Sequence, residues 1–240
     1  MLTAVYAILF YIAAAVLIGG LTLKIGQYAR TPAPLKIPTT PAPVTTRGVV
    51  LRMGREVVFF ESLFRSNKWI WLFGWTFHVA LALVLARHLR YFIEPVWGWV
   101  ALIQPFGLYA GFAMLAGLAA LWLRRFRVAR IRYITGPSDH LMLLLLASIA
   151  VSGYAIQYVA RTDIVALKAF MLGLIYFDWR PLPGDPVLLA HLGLVAALMI
   201  VFPFSKLLHA PGVFFSPTRN QADDAREKRH VSPFAATGSD

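Results

Sequence analysis

Long uncharged stretches alternate with short charged ones along the chain, and that alternation predicts its architecture. Uncharged runs occupy 2–23, 69–86, 95–123, 141–160 and 186–205. A helix needs about 20 apolar residues to cross the hydrocarbon core of a bilayer, and each run supplies enough. The third is longer than one span requires. Pro105 divides an interfacial piece, PVWGWVALI, from a helix over 106–123. The stretch IVALKAFMLGLIYF (164–177) is apolar but short and carries Lys168, so it is expected to lie at the interface or re-enter the membrane without crossing. The first run lacks a basic segment ahead of it and is read as a retained helix. The pattern thus predicts an all-α integral membrane protein, a bundle of five transmembrane helices at about 2–23, 69–89, 106–123, 140–160 and 186–209. No internal repeat is present.

The segments between the runs carry the charge. Lys and Arg number 18 in 24–68, 124–132 and 206–240, against five on the other side: Arg87, Arg90, Arg161, Lys168 and Arg180. Loops rich in Lys and Arg stay in the cytoplasm, so the N-terminus is expected to be periplasmic and the C-terminus cytoplasmic. The protein is expected in the bacterial cytoplasmic (inner) membrane. Trp69, Trp71, Trp97 and Trp99 fall near the predicted boundaries, as interfacial aromatics do. Within the first cytoplasmic segment, TPAPLKIPTTPAPVTT (31–46) is expected to be extended. RMGREVVFFESLFRSNKW (52–69) is read as an amphipathic helix on the membrane surface. Residues 1–215 then form the membrane domain, and 216–240 a loosely ordered polar tail.

Composition agrees with this reading. Of 240 residues, 59% are hydrophobic and 14% charged, and the mean hydropathy is +0.66. The formal charge of +12 could point to nucleic acid. The basic residues, however, sit in short loops where they encode topology, and nucleic acid is excluded as a partner. There is no cysteine. That removes disulfides, thiolate metal sites, iron–sulfur ligation and covalent haem attachment.

Six histidines remain as candidate chemistry. His78 and His88 are ten residues apart on the second helix, roughly 15 Å of rise. His191 and His209 are eighteen apart, five whole turns, on the fifth helix and its extension. Because the two helices run antiparallel, His88 faces His191 toward the outside and His78 faces His209 toward the cytoplasm. Haem b needs such an arrangement, two neutral imidazoles from neighbouring helices clamping iron axially. A straight fifth helix would separate its pair by roughly 27 Å, a mismatch that tilt and a kink at Pro203 would have to absorb. Gly74, Ala80, Ala82 and Gly193 are small enough for a macrocycle to approach. A proton or ion pathway and plain interhelical hydrogen bonding stay open as alternatives. A structural zinc site would want four ligands close together, which these do not offer. His140, after TGPSD, is read as a helix-start residue at the interface, and His230 as a solvated tail residue.

FHVALALVLARH (77–88) and LLAHLGLVAALMIVFPFSKLLHAPG (188–212) resemble the gamma-subunit family of respiratory nitrate reductase, a five-helix dihaem cytochrome b. The resemblance covers all five helices. It implies two haem b groups, with His78 and His209 holding the cytoplasmic one and His88 and His191 the periplasmic one. IPTTPAP (37–43), FESLFRSNKW (60–69) and HAPGVFFSPTRNQ (209–221) further resemble the membrane cytochrome b of the sulfite-reduction-associated complex. That resemblance implies a cytoplasmic iron–sulfur subunit related to heterodisulfide reductase. It also implies periplasmic multihaem cytochrome c and ferredoxin-like subunits, a second membrane subunit, and quinone or quinol as substrate. The lysine that nitrate reductase relatives carry near the outer start of the third helix has no counterpart at Ile103 and Gln104, so a quinone site does not carry over.

The expected function is therefore electron transfer across the membrane between the quinone pool and a cytoplasmic iron–sulfur partner in dissimilatory sulfur metabolism. Arg87, Arg90, Tyr91 and Glu94 lie beside His88 in sequence and are candidates for quinone or haem propionate contacts, Glu94 as a proton relay. The arginines equally suit anchoring of the helix end. Lys206, Arg124 and Arg125 are the cytoplasmic counterparts. A nitrate reductase gamma-type subunit and a haem-free membrane scaffold are the alternatives.

Overall fold

A computed structural model describes residues 1–33, 35 and 37–224. His230 and most of the predicted tail lie outside the described residues. The elements in chain order are α1 (Leu2–Arg30), α2 (Thr46–Phe59), α3 (Glu61–Ser66), α4 (Lys68–His88), α5 (Gly98–Leu102), α6 (Gln104–Arg127), α7 (Ala129–Ile134), α8 (Pro137–Ala155), α9 (Ile164–Tyr176), α10 (Pro186–Val201), α11 (His209–Gly212) and α12 (Pro217–Asn220). Five apolar helical segments are long enough to cross a membrane: Leu2–Arg30, Lys68–Tyr91, Gln104–Arg127, Pro137–Ala160 and Pro186–Phe204. All five predicted spans are present. The first is longer than expected, running on past Lys24 to Arg30.

Their packing follows from where the small residues lie. α6 buries the stripe Gly107, Ala110, Gly111, Met114, Gly117 and Leu118. Small residues at this spacing let helix backbones approach closely. A Cβ on Gly117 would lie 2.9 Å from the Phe73 carbonyl oxygen, and one on Gly107 would lie 2.8 Å from Arg87 Cβ. α4 and α6 therefore pack along their lengths, with Phe77, Ala80, Met114 and Leu118 in the shared core. α10 packs between α1 and α8. Pro105 opens α6, and α5 precedes it as a separate short helix, as the sequence predicts.

At the end bearing residues 88 and 191, α9 buries Leu167, Phe170 and Met171 against Leu182, Leu188 and Leu192. It is a short apolar helix and adds no sixth span. The opposite end carries a collar built from α2, α3 and residues 205–224. The single amphipathic helix expected over 52–69 is instead two helices, because Phe60 adopts a left-handed conformation (φ 53) between them. Trp71 and Trp75 of α4 donate their indole N–H groups to the carbonyl oxygens of Phe59 (2.7 Å) and Val58 (2.9 Å). The last carbonyls of a helix have no partner within it, and these two indoles supply one each. The described start of the tail is not loose either. Arg219 pairs with buried Glu56 at 2.6 Å, Gln221 donates to the Leu35 carbonyl, and Asp223 N–H donates to that of Pro43.

The fifth span differs most from expectation. α10 ends at Val201, and Phe202–Phe204, Ser205 and Lys206–Leu208 follow as tight turns before α11. Pro203 is fully buried. It sits against α1 where Gly20 has no side chain, since a Cβ there would lie 2.5 Å from Pro203 Cβ. The helix expected to reach His209 is thus broken, because Pro203 cannot donate to the helical ladder and Ser205 caps a new turn at Leu207 N–H.

Candidate functional site

The break brings His209 to His78. Their ring centroids are 6.0 Å apart at an interplanar angle of 88°. His78, half-buried, has Phe60 and Phe77 edge-on at 5.0 and 5.1 Å. Its Nδ1 lies 2.7 Å from the Gly74 carbonyl oxygen one turn back. His209 Nδ1 lies 2.8 Å from the Lys206 carbonyl oxygen. At the other end, His88 Nδ1 lies 2.6 Å from the Val84 carbonyl oxygen, and His191 Nδ1 lies 2.9 Å from Ser152 Oγ. Tyr91, whose ring stands beside that of His88, packs against the cluster that holds Leu188 and Leu192 of α10, so His88 and His191 lie at the same end of the bundle. Of the two facing pairs expected from depth, His78 and His209 are in ring contact, and His88 and His191 are placed at one end of the bundle.

Hydrogen bonding assigns the tautomers. A carbonyl oxygen only accepts, so His78, His88 and His209 each donate from Nδ1. Ser152 has one hydroxyl proton, with carbonyl oxygens at 2.7 Å (Ser148) and 3.0 Å (Ile149) to receive it. Its oxygen is then free to accept from His191 Nδ1–H. All four rings thus carry their proton on Nδ1 and leave the Nε2 lone pair free. Metal-ligating histidines are oriented in this way by an outer partner on the other nitrogen. His140 is the reverse. The Trp122 indole, which can only donate, lies 3.0 Å from His140 Nδ1, so that nitrogen accepts and the proton sits on Nε2.

The geometry fits a metal held between two rings. Metal–imidazole bonds run about 2 Å and the ring centre lies about 1.1 Å further, so two imidazoles that held one metal between them would stand roughly 6 Å apart. His78 and His209 match that spacing. The helices α4 and α10 do not pack closely on each other; α4 packs on α6, and α10 on α1 and α8. Among the described residues no three His, Asp or Glu side chains converge on one metal position. The predicted small residues divide. Ala80 is part of the α4–α6 core and Ala82 is exposed, while Gly193 has only the Tyr6 hydroxyl nearby, at 4.0 Å.

The candidates near His88 do not form one cluster. The Tyr91 ring stands 6.0 Å from that of His88, and the Arg90 guanidinium lies 5.7 Å from the Tyr91 ring. Arg90 also donates to Gln104 Oε1 at 3.2 Å, and Gln104 Nε2 donates to the carbonyls of Val100 and Arg87. Arg87 reaches toward the wide helical turn Ile156–Ala160 that continues α8, where Gln157 Oε1 lies 3.5 Å away. Glu94 is drawn off to an ion pair with Lys168 of α9. Sequence reasoning missed Gln104 and Ser152, lone polar residues in apolar runs whose depth is their only signal.

Residues 48–220 match the family model of the nitrate reductase gamma subunit, a region that contains all four histidines. The chain belongs to this family. It is 36% identical to the Hdr-like menaquinol oxidoreductase cytochrome b-like subunit of Archaeoglobus fulgidus, over 93% of this chain and 81% of that one. The same-named subunit of Archaeoglobus profundus is 34% identical over 93% and 80%. These relatives agree with the resemblance to the sulfite-reduction-associated cytochrome b, DsrM, itself an Hdr-like cytochrome b subunit. The five apolar helices and this membership make the chain a multi-pass membrane protein.

Proposed function

We propose that the chain is a dihaem cytochrome b that carries electrons across the membrane between a quinone or quinol and a cytoplasmic iron–sulfur partner. The observation that carries this reading is the matched set of four imidazoles, paired two by two, each with Nε2 free and Nδ1–H held. His78 and His209 would hold one haem b toward the cytoplasm, and His88 and His191 the other toward the periplasm. Haem b at each pair supplies a one-electron iron couple. The protein's part is to fix ring orientation through the Gly74, Val84 and Lys206 carbonyls and the Ser152 hydroxyl.

Tyr91 and Arg90, beside His88, are the groups best placed for a quinone headgroup or a haem propionate. The basic loops support the orientation with the collar in the cytoplasm. Near-full-length similarity to subunits named for menaquinol supports quinol as substrate. It also favours a complex with a heterodisulfide-reductase-related iron–sulfur subunit in sulfur metabolism. The remaining partners would be the periplasmic multihaem cytochrome c, the ferredoxin-like protein and a second membrane subunit. The family match keeps a nitrate-reductase-type role as the second reading, and co-purification of the partner subunits separates the two.

Single alanine replacements test the ligand assignment. His78→Ala and His209→Ala should remove the same haem component, His88→Ala and His191→Ala the other, and His140→Ala neither. Loss of different components within one pair, or haem loss in His140→Ala, contradicts the reading.

A further inference from the structure

His209 is the least supported of the four ligands. It is exposed, it follows a broken helix, and the carbonyl that orients it belongs to Lys206 in a three-residue turn. A turn of that length does not hold its own position, so something outside it must. The Lys206 ammonium extends to α8, where Nζ lies 2.7 and 2.8 Å from the two carboxylate oxygens of Asp139. That carboxylate is 4% exposed and also accepts from Gly136 N–H at 3.0 Å. Arg125 of α6 stands 3.8 Å away. The buried carboxylate is thus held by an ammonium and a backbone N–H with a second cation nearby, and its charge-assisted contact to Lys206 is the strong kind of hydrogen bond.

We propose that Asp139, acting through Lys206, is the positioning residue for His209. The line runs from the Asp139 carboxylate to the Lys206 ammonium, then through the Lys206 backbone to its carbonyl, and from there to His209 Nδ1–H. It joins α8 to the ligand across the break in the fifth span, and it has no counterpart at the other pair, where Ser152 contacts His191 directly. Holding the carbonyl on Nδ1–H keeps the ring turned toward His78 and raises the basicity of Nε2. The two residues are 67 positions apart and neither lies among the predicted ligands.

This inference rests on the dihaem reading above, and its test keeps the two apart. The full-length chain, purified with its haem, is compared with Lys206→Met, Lys206→Arg and Asp139→Asn by redox titration and by electron paramagnetic resonance of the ferric state. Lys206→Met leaves the Asp139–Gly136 helix-start bond in place, so it removes the positioning link without uncapping α8. The wild type should show two components. Lys206→Met and Asp139→Asn should raise the midpoint potential of the His78/His209 component, shift its g values, and weaken haem retention there about tenfold or more. The other component should not move, and Lys206→Arg should restore the first. Unchanged components in Lys206→Met, a lowered potential, or equal changes in both components would overturn the inference. A wild type without two haem components would overturn the dihaem reading itself.

Discussion

His88, the last residue of α4, and His191, inside α10, belong to their helices, whereas His209 meets His78 from a chain that has left its helix. At the first pair the local helix supplies most of the order: Val84 is one turn back from His88, and Ser152 approaches His191 from the neighbouring α8. At the second, order is imported. Gly20 of α1 admits Pro203, Asp139 of α8 holds Lys206, and the collar lays Phe60 against His78. The break solves a problem of length. Eighteen helical residues rise roughly 27 Å and ten rise roughly 15 Å, so an unbroken fifth helix would carry His209 well past His78. Helical periodicity is sufficient for one pair and insufficient for the other, and the anchors appear where it fails.

This contrast can be broken most forcefully at Gly20. A side chain there meets Pro203 at 2.5 Å, and overpacking of a tight contact costs about 1–3 kcal/mol. Gly20→Leu should displace the turn and remove the His78/His209 haem component while the other remains, measured by haem content and difference spectra. Equal loss of both would mean that the break is not what separates the pairs. Ser152→Ala is the milder converse. Losing one hydrogen bond of about 0.5–1.5 kcal/mol should raise the potential of the His88/His191 component slightly and leave the other alone.

The smallest effect concerns the collar. Burial pushes the Glu56 carboxyl upward, but hydrogen bonds from Ser62 and the Arg219 guanidinium outweigh it and hold its pKa below the ordinary value. A carboxyl lowered on folding adds stability that is full above its unfolded pKa and is lost as pH falls through the folded one. Protection factors of residues 213–224, in which the intrinsic pH dependence of amide exchange is divided out, should therefore fall in acid, below the ordinary carboxylate range. Glu56→Gln should exchange faster at neutral pH and lose that acid dependence. An unchanged profile in Glu56→Gln would separate Glu56 from tail docking.

Much of this was legible in advance, for identifiable reasons. Five apolar runs of span length leave little choice of fold, and histidines ten apart on one helix and eighteen apart on another predict two levels. Pro203 marked a kink but not its size, because the size depends on Gly20, a residue of α1 that sequence separation hides. The division of the collar at Phe60 carries no Gly or Pro signal. Its cause is tertiary, with Trp71 and Trp75 capping the carbonyls at which α2 stops. The Arg87, Arg90, Tyr91 and Glu94 group looked like one cluster because its members are adjacent in sequence, yet Gln157 and Lys168 draw two of them elsewhere.

The most direct test of the central claim is a pyridine haemochrome assay on the purified wild-type chain, with haem counted per polypeptide. Four correctly protonated imidazoles in two facing pairs predict two b-type haems per chain. A folded chain, expressed with adequate haem and holding none, would contradict the electron-transfer account and leave the histidines as hydrogen-bonding struts of a membrane scaffold.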